Sequence, residues 1–168
     1  MEVNKKMNNL PLLFNYLDTI PYKGNLFEFS VQGRILLAKE EDGEIWVYGV
    51  NPGGLAGGGD TIEEAISNFR NNYRTMLFDL SAEAFDIDSL KNEVEKFIYQ
   101  ENSFNAEAWE KAVEEVRKNN VSINGLQKLS AEQNPPNVKM RQLPLRDITD
   151  DLSLGLKDRD ASREHIAA

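Results

Sequence analysis

The sequence predicts an α+β fold: a small antiparallel β-sheet covered by a helix, with an N-terminal helix before it and a helical pair and an irregular tail after it. Three observations lead there. Phe27, Phe29 and Val31 alternate with Glu28, Ser30 and Gln32, the period of two that marks a strand with one buried face. An Asp42-Gly43 pair in a polar tip joins that strand to the β-branched and aromatic run from Ile45 to Val50, as a hairpin would. Thr61 followed three residues later by Glu64 is a capping-box helix start, and Ile62, Ala65, Ile66, Phe69, Tyr73 and Leu77 then share one helical face.

Four segments follow from these signals. Over residues 1–26, Leu13, Leu17 and Ile20 have helical spacing and Pro21 reads as a stop, so a short helix is expected. Residues 27–80 form the βββα unit, with Gly33 marking a bulge or bend before Ile35-Leu36-Leu37 and a short third strand near Leu55 to Gly58 inside the glycine-rich return. Over residues 81–119, Leu90, Val94, Phe97 and Ile98 make one apolar stripe, and Ala108, Trp109, Ala112, Val113 and Val116 make another. These predict two helices, started near Ser81 or Asp88 and by Asn105, and paired as an antiparallel hairpin. Residues 120–168 lack sustained apolar periodicity and read as an irregular tail, disordered or ordered by a partner.

Composition excludes several kinds of chemistry. With no cysteine there are no disulfides, thiolate metal sites or cysteine nucleophiles, a pattern expected of a cytoplasmic protein. No apolar run approaches the roughly 20 residues of a membrane span, so neither insertion nor export is expected. A formal charge of -9 opposes non-specific attraction to nucleic acid and favours a basic partner. The single histidine, His165, has no partner cluster in the sequence and reads as a solvated tail residue. Gly53 to Gly59 precedes a helix but carries neither phosphate-loop motif, and Asp60, Glu63 and Glu64 put negative charge where phosphate would sit. Asp86 with Asp88 and Asp150 with Asp151 read as caps or surface. No catalytic, cofactor or metal residue is assigned, and the chain reads as a binding protein, not an enzyme.

The candidate partner-binding residues are Trp46, Tyr48, Arg70, Arg74 and Trp109. Trp46 and Tyr48 share a strand face and Trp109 a helix face; aromatics there serve either the core or an interface anchor. Arg70 and Arg74, one turn apart, suit either a solvated helix flank or an acidic partner.

Glu41-Asp42-Gly43-Glu44-Ile45-Trp46-Val47, the return from Pro52 to Gly59, and Gly59-Asp60-Thr61-Ile62-Glu63-Glu64-Ala65-Ile66 together resemble the HicB family of antitoxins, over roughly residues 27–80. The resemblance implies a partial ribonuclease-H-like module without catalytic machinery. It also implies neutralisation of a small basic mRNA-cleaving HicA-like toxin, often with homo-oligomerisation. The chain departs from the family at Gly53-Gly54-Leu55, where Pro-Gly-Cys is common, and shows no ribbon-helix-helix or helix-turn-helix segment after Asp88, which argues against direct DNA binding. The alternative is a structural or adaptor protein that assembles with other proteins through the helical pair and tail.

Overall fold

Lys23 and Gly24 both take positive φ, 46° and 76°, which is the backbone of a two-residue hairpin turn whose twist matches that of the strands it joins. In the computed structural model, which describes residues 9–123, 125–131, 136–144 and 162–168, this turn connects β1 (Asn9–Tyr22) to β2 (Asn25–Lys39) in unbroken register from Asn9↔Ala38 to Tyr22↔Asn25. β1 therefore replaces the helix expected from Leu13, Leu17 and Ile20. Its even-numbered residues Leu10, Leu12, Phe14, Tyr16, Ile20 and Tyr22 are buried along one face, while Leu13 is buried on the other. Burial on both faces from Leu10 to Phe14 hides the alternation that marks a half-exposed strand. Pro21 does not stop the element, because its fixed φ is compatible with extended chain near a strand end.

The hairpin from β2 to β3 (Ile45–Asn51) forms as predicted, with Gly43 at φ 94° and the Glu40 carbonyl accepting from Gly43 N–H at 3.0 Å. β3 pairs only with the second half of β2, Arg34 to Lys39, and a bulge lies between Arg34 and Ile35. A Cβ on Gly33 would stand 2.2 Å from the Asn51 carbonyl oxygen and 2.4 Å from the Phe14 ring, so glycine is required where the strands diverge. β4 (Ala56–Gly59) then pairs with β3.

The helix α1 (Ile62–Glu83) starts as the sequence predicts, with the Thr61 hydroxyl accepting from Glu64 N–H and the Glu64 carboxylate reaching back to Asp60 N–H at 3.0 Å. Ala65, Phe69, Tyr73 and Leu77 form its buried row, whereas Ile62 at the first turn is exposed. The small residues explain how closely it lies on β4: a Cβ on Gly57 would sit 2.3 Å from the Phe69 backbone nitrogen. The Asn68 and Asn72 side-chain amides donate to the Gly58 and Ala56 carbonyls, each at 2.8 Å, which occupies acceptors of the last strand on this side of the sheet.

The predicted helical pair exists as α2 (Ile87–Tyr99) and α3 (Ser103–Asn119), but it does not close into a hairpin. Leu90, Val94 and Ile98 of α2 join the core beneath α1, with Phe14, Tyr16 and Phe29. Ala106, Trp109, Ala112 and Val113 of α3 pack with Leu13, Leu36 and Val50 on the opposite face. α2 is capped by Asp86 in a reciprocal box with Ser89, and α3 by Asn102, not by Asn105. The Asn105 side chain instead donates to the Gly49 carbonyl at 2.9 Å.

The described residues beyond 120 are not an irregular tail. They supply β5 (Lys128–Leu129), β6 (Asn137–Leu143) and β7 (Arg163–Ala167). β6 pairs with the half of β2 that β3 leaves open, and β7 lies between β1 and β5, giving the order β4-β3-β2-β1-β7-β5. Each of these strands is short, and its pairing partner is distant in sequence, so local periodicity carries little of the signal. The Asp150 and Asp151 pair lies outside the described residues. No helix among the described residues is long and apolar enough to cross a membrane.

The contact of α1 with β4 makes a direct stability test. Gly57→Ala is expected to cost about 2 kcal/mol or more through backbone overlap. Gly54→Ala, at a site with nothing within 4 Å and no positive φ, should stay within about 0.5 kcal/mol of the parent. Urea unfolding midpoints of the two variants check this; equal midpoints would contradict the packing described.

Candidate protein-binding surface

The register of β3 places Trp46 opposite Ala38 and Tyr48 opposite Leu36, so both rings stand on the α3 side of the sheet. They stack at 5.9 Å between centroids with 11° between planes. Gly58 lies opposite Trp46 on β4, and a Cβ there would meet the indole at 2.8 Å, so the glycine leaves the space that the ring occupies. Tyr48 packs against the α3 cluster. Both residues are half-buried, which leaves an aromatic platform partly open to solvent.

Carboxylates frame this platform. Glu40, Glu41, Asp42 and Glu44 of the β2–β3 turn are all exposed. The Tyr48 hydroxyl donates to Glu40 at 2.9 Å, and the Trp46 indole N–H donates to Glu44 at 3.1 Å. Asp42 accepts from Glu44 N–H at 3.0 Å and stiffens the tip. Burial, the Glu40 hydrogen bond and the charges of Glu40 and Asp42 push the Tyr48 hydroxyl up to about 12, so it remains a donor at physiological pH. The polar atoms of both rings are thus satisfied while their carboxylate partners project negative charge.

This arrangement suits a cationic side chain, attracted to the ring faces and to the acids around them. It offers nothing to phosphate. Among the described residues no group of three or more His, Asp or Glu side chains is placed to hold a metal ion.

The other candidate residues lie elsewhere. Trp109 is 4% exposed and sits beneath the Arg34 guanidinium at 5.2 Å, so it serves the core and not a surface. Arg34 also donates to Asn51 Oδ1 from two nitrogens, at 2.8 and 2.5 Å, and pairs with Glu101 at 2.5 Å. Arg70 lies 5.0 Å over the Tyr16 ring, and Arg74 approaches the buried Asp18 at 3.9 Å while its own side chain stays exposed. These two arginines thus face the chain's own polar groups beside β1. His165 is part of β7 and half-buried, not a solvated tail residue. The Glu40 and Glu44 roles were missed in the sequence; the signal available was the hairpin register, which brings both ends of the turn to one side.

No family model, curated protein or solved structure matches the chain.

Burial pushes the Asp18 carboxyl above its ordinary value, with Arg70 and Arg74 opposing the rise. The folded chain therefore holds this proton more tightly than the unfolded chain. Its cost to stability is absent below the unfolded pKa, grows as pH rises through the interval, and is complete above the folded pKa. Asp18→Asn is expected to raise the urea midpoint at neutral pH and to leave it nearly unchanged near pH 3, which unfolding curves at the two pH values would measure.

Proposed function

We propose that this chain is a non-catalytic, HicB-like antitoxin that binds and neutralises a small basic mRNA-cleaving toxin, with the acidic Trp46–Tyr48 surface as its contact. The observation that carries the reading is the stacked aromatic pair beside the exposed carboxylates of the β2–β3 turn, two of which bond to the rings. Aromatic anchors supply affinity at protein interfaces, and complementary charge speeds encounter and selects partners. The net charge of -9 has the sign that such a partner requires.

The order of elements gives a second line of support. β2, the acidic turn, β3, the glycine return ending in β4, and α1 follow one another as the segments of the resemblance do. DNA binding is not part of the proposal, because the described residues after Asp88 supply two helices and three strands packed into the same fold.

Affinity purification of the tagged chain from its native cells tests the proposal. A stoichiometric small basic ribonuclease, whose RNA cleavage stops on addition of the chain, is expected; a reproducible complex without any nuclease would replace the antitoxin by an adaptor. With that partner in hand, Trp46→Ala should weaken binding at least about tenfold, the loss of one interface anchor. Glu40→Gln with Glu44→Gln should slow association and reduce its salt dependence. Unchanged binding by both variants, with unfolding midpoints near the parent's, would place the contact elsewhere.

A further inference from the structure

The chain itself shows how a guanidinium is held against an indole. On the α3 side of the sheet, the Arg34 guanidinium lies 5.2 Å from the Trp109 ring centroid and pairs with the Glu101 carboxylate at 2.5 Å. A planar cation does both at once, because its face stacks on the ring while the N–H groups around its edge reach a carboxylate at the rim. An ammonium is a compact, strongly hydrated charge with no face to lay down.

The Trp46–Tyr48 surface, on the same side of the sheet, has these components without the cation. An indole N–H lies in the ring plane and a phenol O–H close to it, so the bonds to Glu44 and Glu40 put a carboxylate at the edge of each ring. Glu44 Oε2 and Glu40 Oε1 accept those bonds, which leaves Glu44 Oε1 and Glu40 Oε2 open to a further donor. The two ring planes are 11° apart, so one orientation of a flat cation is parallel to both. Among the described residues no Lys or Arg lies over either ring, and none forms an ion pair with Glu40, Glu41, Asp42 or Glu44. Lys39 alternates with Ala38, the residue opposite Trp46, and so stands on the other face of the sheet.

We propose that this surface selects an arginine of its protein partner over a lysine, with the guanidinium stacked on Trp46 and Tyr48 and its edge bonded to Glu40 and Glu44. The inference deepens the proposed function and rests on that surface being the contact. The turn carboxylates attract either cation, so charge alone does not choose between them. Shape and hydration do: a guanidinium keeps its stacking and its hydrogen bonds together, whereas an ammonium gives up more water to reach the rings. Bonds from a charged donor to a carboxylate are also the stronger ones, and a fork of donors makes them directional.

Short peptides test this without any toxin. An acetylated, amidated Gly-Gly-Arg-Gly-Gly peptide and its lysine and citrulline counterparts are titrated into the isotope-labelled full chain, and the indole N–H signals are followed by NMR. The Trp46 signal, identified by its loss in Trp46→Phe, should move with the arginine peptide, while that of the buried Trp109 stays in place. The arginine peptide should bind at least about fivefold tighter than the lysine peptide. The citrulline peptide, of similar shape without the charge, should leave the signal unmoved. Glu40→Gln with Glu44→Gln, both exposed, should weaken the arginine peptide at least about fivefold with the unfolding midpoint near the parent's. A Trp46 signal that the arginine peptide does not move, or that the lysine peptide moves at equal or lower concentration, would overturn the proposal. Co-purification decides the antitoxin reading separately: a toxin recovered beside a silent Trp46 signal removes the arginine and keeps the toxin, and arginine selection without a toxin does the reverse.

Discussion

Everything on the β3 side of the sheet depends on how β2 is shared. One long strand holds β1 along one edge and divides its other edge between β3 and β6, and the division falls at Gly33 and Arg34. Gly33 removes the side chain that would collide with Asn51 and Phe14, so β3 can turn away. Arg34 then holds what gathers at the junction: Asn51 at the end of β3, Glu101 in the link between α2 and α3, and Trp109 in α3. The backbone completes the joint, with Gly53 N–H donating to the Gln100 carbonyl and Asn102 N–H to that of Val50. Because the link is fixed there, α2 and α3 reach opposite faces instead of packing on each other. Such a partly buried ion pair specifies geometry more than it adds net stability, since desolvation offsets much of its attraction.

The glycine-rich return works through absence of side chains, not through flexibility. Gly57 lets the backbone of α1 approach β4, and Gly58 leaves room for the Trp46 ring on the other face. One short strand therefore seats a helix and an aromatic platform on its two sides. The Asn68 and Asn72 amides on its carbonyls then limit further strand pairing at that edge. The same glycines that resemble a phosphate loop in the sequence are consumed by packing.

Local chemistry made the hairpin, the bulge near Gly33 and the start of α1 legible, because a turn glycine, a divergence glycine and a Thr cap each act within a few residues. β1 was misread because buried residues on both faces blur a period of two into something helical. β6 does alternate Val138 and Met140 with Lys139 and Arg141, but over too few residues to stand out from its surroundings. Of the candidate surface, the shared face of Trp46 and Tyr48 was legible from strand parity. The burial of Trp109 was legible as the core reading of its apolar helix stripe, whereas the placement of Arg70 and Arg74 was not, since each depends on a residue contributed by a distant strand.

The two ends of the sheet differ in how their polar groups are served, and that difference bears on what each end can do. Around Trp46 and Tyr48 each side-chain donor has an acceptor, so the platform is held in one geometry before any partner arrives. Preorganisation of this kind lowers the ordering cost of association. Beside β1, Tyr16, Tyr73 and Asp18 are gathered with Glu164 and the arginines Arg70 and Arg74, and burial pushes the two hydroxyls and the Asp18 carboxyl above their ordinary values. Between the two ends runs the β1–β2 hairpin, continuous over the whole of β1 and carrying Phe14, Tyr16, Phe29 and Val31 into the main core. The hydrogen bonds that orient Trp46 and Tyr48 run to Glu44 and Glu40 at the two ends of the β2–β3 turn, so the aromatic surface is set by that hairpin and not by the strands beyond β1.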